Sequence, residues 1–290
     1  MMYKKGQLEY LIAILLLSSL VVSYFAFTEK NNNSKNLKVA YMDIGQGDSI
    51  YVEAPNGNQM IIDGGPTNLT TTRLAELMPF GNRSINILVV TNPDKDHYYG
   101  FLNIIKNYNV GAILEPGTIS NSQTYASLEN LIAEKKIPKI IARRGMNIIL
   151  DQKNNVVFHI LFPDRDVSSW TTNDGSIVGR ITYGNSSYMM MGDATVKTED
   201  IVLAENSQND LKSDILKLGH HGSKTSSSSE WLSTVAPSYA VISAGLNNKY
   251  GHPHKEVLNR LDSFSIPYLI TFQKGNIIFD SVGGKPILEN

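Results

Sequence analysis

The sequence predicts a mixed α/β fold in which two β-sheets pack together and helices cover their outer faces. Short apolar runs rich in Val, Ile and Tyr alternate with turns along most of the chain, as half-buried strands do. Longer stretches with a helical pattern lie between several of these runs. The strands are too numerous for one open sheet, because a large twisted sheet curls or splits into two packed sheets.

The predicted elements begin after residue 36. Three early strands form a meander, in which residues 55–58 (Pro-Asn-Gly-Asn) turn the second strand into the third. In chain order the predicted strands are 37–43, 49–53, 59–63, 85–91, 110–115, 139–143, 156–162, 176–183, 187–192, 215–219, 239–244 and 268–272. The predicted helices are 100–107, 125–135, 196–205, 230–235 and 255–264.

The composition limits the chemistry that the chain can carry. Of its 290 residues, 42% are hydrophobic and 18% are charged, which supports a sizeable core rather than disorder. The net charge of -1 gives no general attraction to nucleic acid, so any such contact must be local. Because the chain has no cysteine, disulfides and thiolate ligands are excluded, and metal ligands must come from His, Asp, Glu and Asn.

The N-terminal segment predicts a membrane anchor. Residues 10–27 carry no charge and follow Lys4 and Lys5, and this stretch is just long enough to span a bilayer. A cleaved signal peptide is the alternative, but residues 23–27 do not offer the small-residue pattern of a cleavage site.

The charges around this segment predict its orientation. Lys4, Lys5 and the α-amino group slightly outweigh Lys30 and Lys35, so the positive-inside rule places the bulk of the chain outside the cytoplasm. We therefore expect a single-pass protein of the cell membrane, with secretion as the alternative. The expected division is an anchor or signal peptide at 1–28, a polar linker at 29–35 and one hydrolase domain at 36–290.

Potential metal ligands follow directly after the apolar strand 85–91. Asp94, Asp96 and His97 lie within four residues, in the loop that leads to the next helix. An ordinary acidic turn is the alternative interpretation. Carboxylates and imidazoles at the edge of a sheet can hold a divalent cation, and oxygen-rich sets favour Mn²⁺ or Mg²⁺ whereas imidazole also suits Zn²⁺.

Further clusters occur later in the chain. One predicted strand ends in Asp193, which could instead be the N-cap of the helix that follows. Another ends in His220 and His221, of which at most one would face a metal if the backbone stays extended. His252 and His254 are two residues apart and could therefore share one side.

Together these segments resemble the extracellular metallo-β-lactamase-fold domain of ComEC-like competence proteins, which take up DNA. The resemblance extends over nearly everything after residue 35. It is carried by residues 42–49 (MDIGQGDS), 61–65 (IIDGG), 94–97, 173–176, 192–193, 220–223 and 251–254. It implies a four-layer αββα sandwich with a site for one or two metal ions at the edge of the inner sheets.

The resemblance also implies roles for single residues. The implied metal ligands are Asp94, Asp96, His97, Asp193 and His221, with His220 or Asn173 in support. Asp96 and His97 would bind one ion, Asp94 would bind the other, and Asp193 would bridge them. Two ions about 3.5–4 Å apart would activate a bridging water and neutralise the charge of a phosphodiester.

Other residues would assist these ligands. Asp96 is expected to take part in catalysis, and His252 or His254 would contact phosphate or assist proton transfer. Asp63 would orient a histidine from behind, and Asn173 and Ser223 would also support the site. Asp43 and Asp48, which lie among turn glycines, are expected only to brace the early loops.

Asn92 departs from the family pattern. Where the family usually has His-Pro-Asp, this chain has Asn92, Pro93 and Asp94. An Asn carbonyl can still bind a hard cation, but it is a poorer ligand for Zn²⁺ than imidazole is. We therefore count Asn92 among the candidate metal ligands and expect a weakened position for one ion.

The predicted function is a membrane-anchored, extracytoplasmic hydrolase that uses one or two divalent ions, Zn²⁺ or Mn²⁺. The resemblance favours a phosphodiesterase or nuclease of ComEC-like type that uses a metal-activated water, with DNA as one candidate substrate. Two alternatives stay open: an esterase acting on phosphorylated wall polymers, and a scaffold whose metal site has degraded. The sequence indicates no particular protein partner.

Overall fold

The computed structural model describes residues 10–21, 23 and 36–289. The chain forms two units, residues 1–35 and 36–290. In the first unit residues 10–21 are helical (α1). Among the described residues, no helix combines the length and the apolar character needed to cross a bilayer. The predicted span runs on into residues outside the described part, and the predicted linker 29–35 lies wholly outside it.

The second unit contains an eight-stranded and a seven-stranded sheet. The strands of the first sheet, in spatial order, are β15 (Ile287–Leu288), β14 (Ile277–Ser281), β1 (Leu37–Tyr41), β2 (Ile50–Glu53), β3 (Gln59–Ile62), β4 (Ser84–Val89), β5 (Asn109–Glu115) and β6 (Lys139–Ile141). Those of the second sheet are β13 (Tyr268–Ile270), β12 (Tyr239–Ile242), β11 (Ile215–Lys217), β10 (Ser186–Met190), β9 (Val178–Tyr183), β8 (Val156–Phe162) and β7 (Asn147–Asp151).

The helices connect these strands. They are α2 (Leu69–Leu77), α3 (Lys95–Tyr98), α4 (Phe101–Asn107), α5 (Gln123–Glu134), α6 (Val196–Glu205), α7 (Gln208–Leu211), α8 (Ser229–Val235), α9 (Lys255–Ser263) and α10 (Thr271–Lys274). A short 3₁₀ turn covers Gly219–Gly222.

Three apolar cores hold the four layers together. In β1, Val39 and Tyr41 face the central core between the two sheets, whereas Ala40 faces the outer core of the first sheet. Successive side chains of a strand point to opposite faces, so β1 is buried on both sides. Helix α4 contributes Phe101 to the first outer core, and α8 contributes Trp231 to the other. The expected two sheets with helices on their outer faces are confirmed.

Parallel pairing brings the important strand ends together. Strands β3, β4 and β5 run parallel in the first sheet, and β10, β11 and β12 run parallel in the second. The carboxyl ends of neighbouring parallel strands lie at one edge of their sheet, where open α/β folds commonly bind ligands. The loops after β3, β4, β10 and β11 carry most of the predicted site residues.

Candidate metal centre

His97 lies at the centre of the site and is completely buried in α3. Its Nδ1 is 2.8 Å from Oδ2 of Asp63, and its Nε2 is 3.1 Å from Oδ2 of Asp193. Thr91 fixes Asp63, because its backbone N–H and its hydroxyl donate to the two carboxylate oxygens at 2.8 and 2.7 Å. A carboxylate behind one ring nitrogen leaves the other nitrogen available to a metal.

His221 has a similar arrangement from the opposite sheet. Its Nδ1 is 3.0 Å from the backbone oxygen of Ser243. Its Nε2 is 3.4 Å from Oδ2 of Asp96 and 3.4 Å from Oδ1 of Asp193. His97 and His221 therefore turn their Nε2 atoms toward the same carboxylate from two sides.

The backbone around His220 and His221 is not extended. Both residues have positive φ angles, 48° and 55°, within the turn that follows β11. The prediction that at most one imidazole faces the site assumed alternating side chains, and its premise is wrong. His220 also reaches Asp193, with its Nε2 3.8 Å from Oδ2.

The open ligand atoms fit a divalent cation. Nε2 of His97, Nε2 of His221 and Oδ1 of Asp193 are buried and, although each faces an opposite charge at 3.1 to 3.4 Å, none of them makes a hydrogen bond among residues 10–21, 23 and 36–289. Buried polar atoms are nearly always paired, so three open ones at a common point need an explanation. One candidate ligand group comprises Asp96, His97 and His221, and a second comprises Asp48, His97 and Asp193.

Comparison with known proteins shows the family to which this chain belongs. Residues 42–245 match the metallo-beta-lactamase superfamily. The chain belongs to the metallo-beta-lactamase superfamily. Membership confirms the expected family and, at this level, a metal-dependent hydrolase with a divalent-ion site.

Three relatives of this chain confirm the resemblance to competence proteins. It is 32% identical to "ComE operon protein 3" of Bacillus subtilis (strain 168), covering 83% of this chain and 32% of that protein. It is 31% identical to "Competence protein ComA" of Neisseria gonorrhoeae, covering 92% and 35% respectively. It is 29% identical to "Recombination protein 2" of Haemophilus influenzae, covering 78% and 26%. The chain thus spans about a third or less of each relative.

In this site, Asp48 forms a buried ion pair with Lys217, which the sequence does not predict. Nζ of Lys217 is 2.8 Å from Oδ2 of Asp48, and both side chains are almost completely buried. Oδ1 of Asp48 is 3.3 Å from Nδ1 of His221. Asp48 therefore touches the site directly instead of only bracing an early loop. The available signal was Lys217 itself, a lysine inside an otherwise apolar run that leads into two histidines.

The charged side chains of the site strongly shift one another's pKa values. Burial alone would raise the pKa of Asp48, but Lys217 and His221 outweigh burial and lower the pKa to about 2. Burial likewise opposes ionisation of Asp193, yet His221 and His97 hold its pKa well below the usual range. Burial alone would lower the pKa of His221, but Asp193 and Asp48 raise it to about 10. A bound cation would take the place of the proton on His221.

Asp94 and Asn92 lie in the loop after β4 and are held there by hydrogen bonds. The hydroxyl of Thr172 donates to Oδ2 of Asp94 at 2.8 Å. Asn92 is buried; its Oδ1 accepts the backbone N–H of Asp94, and its Nδ2 donates to Ser176. Neither Asp94 nor Asn92 belongs to the two ligand groups found among the described residues, so their assignment as ligands stays a prediction. Oδ1 of Asn173 is buried without a hydrogen-bond partner in the same described part.

The remaining predicted residues lie beside His220 and His221. The ring of His252 is 5.4 Å from that of His220, 6.1 Å from that of His221 and 4.9 Å from that of His254. Ser223 makes a hydroxyl contact of 3.0 Å with Thr225, which in turn contacts Nδ1 of His220 at 3.1 Å. The structure therefore brings the histidines of the last two motifs into contact with one another.

Proposed function

We propose that this chain hydrolyses phosphodiesters with one or two divalent cations held by Asp96, His97, Asp193 and His221, with Asp48 and Asp94 beside them. The open ring nitrogens of His97 and His221, both directed at Asp193, carry this proposal. Bound divalent ions would lower the pKa of a water molecule and neutralise phosphate charge. The relative named "Competence protein ComA" supports the choice of a phosphodiester.

His252, which lies beside His220 and His221, and its neighbour His254 would contact phosphate or assist proton transfer in such a reaction. Nδ1 of His254 accepts the backbone N–H of Lys224 at 3.0 Å, so in the neutral ring the proton is on Nε2. His254 can therefore donate a hydrogen bond to a phosphate oxygen or to a leaving group. Burial, His221 and His220 lower the pKa of His252 to about 4, so its ring is neutral near pH 7 and is only a weak base.

The acidic character of the site leaves the choice of metal to experiment. Carboxylate oxygens suit Mn²⁺, whereas the imidazoles of His97 and His221 also suit Zn²⁺. Membrane anchoring and a position outside the cytoplasm stay predictions from the sequence.

The proposal is tested with the full chain, bis(4-nitrophenyl) phosphate and added Mn²⁺ or Zn²⁺. Wild type should release nitrophenol, and Asp193→Ala should reduce kcat/KM by at least about 100-fold because two histidines lose their shared partner. Asp200→Ala, which removes an exposed carboxylate from α6, is the matched control and should leave the rate unchanged.

Metal content separates the enzyme from a scaffold. We expect elemental analysis to find at least one ion per wild-type chain and less in Asp193→Ala. Full activity in Asp193→Ala would refute the mechanism. A wild-type chain that binds no ion at saturating Mn²⁺ and Zn²⁺ would instead support the scaffold alternative.

A further inference from the structure

A cavity of about 660 Å³ opens beside the candidate metal centre. Its lining includes Lys95, Asp96, Lys249 and Tyr250. Asp96 also belongs to a candidate ligand group, so the cavity and the metal centre share a wall. The volume lies within the range of sites that hold small molecules or single units of a polymer.

Tyr250 forms the exposed end of a row of rings. Its side chain is 52% exposed, and its ring stacks on that of His252 with centroids 5.6 Å apart and planes 20° apart. His252 in turn lies 6.1 Å from the ring of His221. One ring therefore separates the exposed face of Tyr250 from a candidate metal ligand.

The loop that carries Tyr250 is held in place by Asn248. Its Oδ1 accepts the backbone N–H groups of Tyr250 and His252 at 3.1 and 3.0 Å. Its Nδ2 donates to the carbonyls of Gly245 and His252 at 2.9 and 2.6 Å. A large exposed ring on a braced loop costs little conformational entropy when it binds a ligand.

Two lysines of the lining supply positive charge to the cavity. Nζ of Lys95 is 4.8 Å from the ring centre of Tyr99, and Nζ of Lys249 is 4.9 Å from that of Tyr250. Neither ammonium has an ion-pair partner in the described part of the chain. Lys249 is exposed, so it can leave the ring and turn toward an anion.

We infer that this cavity is a nucleotide subsite, in which Tyr250 stacks an unpaired base while Lys95 and Lys249 hold the adjoining phosphates. The inference rests on the proposed phosphodiesterase function and names the substrate feature that the same site selects. An aromatic ring accepts any base, and lysines follow the backbone, which together give sequence-tolerant binding of a single strand. A wall polymer without bases would use the lysines and gain nothing from Tyr250.

Binding is measured with metal-free full chain in chelator, by fluorescence anisotropy of a short single-stranded oligonucleotide and of an abasic counterpart with the same phosphates. We expect about tenfold tighter binding of the base-bearing strand. Tyr250→Leu should remove this preference, and Tyr250→Trp should retain it. Phe80→Leu removes another exposed ring and is the matched control.

Salt dependence tests the lysines separately. For a single strand, each phosphate contact contributes about 0.7 to the slope of log K against log salt. Lys95→Gln with Lys249→Gln should therefore reduce the slope by about 1.4 for both strands, whereas Lys153→Gln, in an exposed turn, should not change it. An unchanged slope in the double variant would refute the role of the lysines.

The outcomes for the subsite and for the proposed function are distinct. Equal binding of both strands by wild type, or an unchanged preference in Tyr250→Leu, overturns the subsite even if phosphodiesters are hydrolysed; equal affinity would favour a base-free polymer. A preference that depends on Tyr250, in a chain without hydrolytic activity, would support the subsite and overturn the proposed function.

Discussion

The buried pair of Lys217 and Asp48 links the core of the second sheet to the metal centre. Lys217 is fully buried in β11, and its Nζ contacts both Oδ2 of Asp48 and the carbonyl of Leu218 at 2.8 Å. A buried charge without a partner is strongly destabilising, whereas the intact pair compensates much of the cost of removing both charges from water. The pair therefore fixes the position of Asp48 next to His221.

Replacing Lys217 tests how much the buried pair contributes to the stability of the fold. We predict that Lys217→Met lowers the free energy of unfolding by about 3–5 kcal/mol, because Asp48 loses its buried partner. Urea denaturation of metal-free protein measures the effect. Lys153→Met, at an exposed turn, is the control and should stay within about 0.5 kcal/mol of wild type.

A double variant tests the origin of that loss. Adding Asp48→Asn to Lys217→Met should recover part of the stability, because the unpaired charge is then removed. If the double variant is as unstable as the sum of the two single variants, the two residues do not act as a pair.

Single residues show where sequence reasoning stopped. Asp63, His97 and Asp193 could be placed near one another because each follows or ends a predicted strand. The contact between Asp48 and Lys217 joins the loop between β1 and β2 to strand β11 of the other sheet, far apart in the chain, and no local pattern specifies it. The left-handed backbone at His221 was likewise not visible, because it depends on the turn that packs there.

At the scale of elements, the junction of α3 and α4 sets the position of His97. The backbone N–H of Gly64 donates to the carbonyl of His97, and that of Gly100 donates to Gly65 at 3.0 Å. A Cβ atom at Gly100 would lie 1.9 Å from the carbonyl oxygen of Gly64 and 2.8 Å from that of Thr67. Both obstacles are backbone, so the two segments could not keep this distance.

We predict that Gly100→Ala destabilises the protein by about 1–3 kcal/mol, although alanine is ordinarily the better helix former. Because His97 would move relative to Asp63 and Asp193, metal affinity should fall by about 10–100-fold. Thermal unfolding and metal titration measure the two effects. Gly284→Ala is the control, since nothing lies within 4 Å of its Cβ position. Equal behaviour of the two variants would contradict this role of the junction.

The apolar pattern of the sequence predicts most strands of both sheets. It does not predict strands that depend on a partner far away in the chain. Strands β1 to β5 carry strong apolar runs, and the structure contains each of them. Strand β14 was missed, because its five residues depend on pairing with β1, more than two hundred positions earlier. The predicted strand 268–272 is wrong beyond Ile270, where the chain turns into helix α10. Helix α3 was missed because a four-residue helix has too little periodicity to recognise.

At the scale of the whole molecule, the candidate metal centre joins loops of both sheets. Asp63 and His97 come from the first sheet, and Asp193 and His221 come from the second. A cation bound among them would favour the folded over the unfolded chain, because unfolding separates its ligands. Metal binding and global stability should therefore change together.

This coupling predicts that the stability of the chain depends on pH differently with and without metal. In the metal-free chain the pKa of His221 is raised to about 10 by Asp193 and Asp48 despite burial, above about 6.5 in the unfolded chain. Its contribution to stability is therefore complete below about pH 6.5 and is lost as the pH rises toward 10. A metal-bound His221 carries no such proton, so the metal-saturated chain should not show this loss, and its affinity should rise with pH as fewer protons are displaced.

Urea denaturation from pH 6.5 to 10, in chelator and in saturating Mn²⁺, measures both predictions. At a free metal concentration about 100 times Kd, the ion should add about 2.7 kcal/mol to the free energy of unfolding. His221→Gln has no titrating ring at this position and should lose part of the pH dependence of the metal-free chain; His97, whose pKa Asp193 and Asp63 raise well above its usual value despite burial, supplies a further part. Parallel pH profiles in chelator and in Mn²⁺ would mean that the ion does not replace the proton on His221, and the centre would then have to be built without that residue.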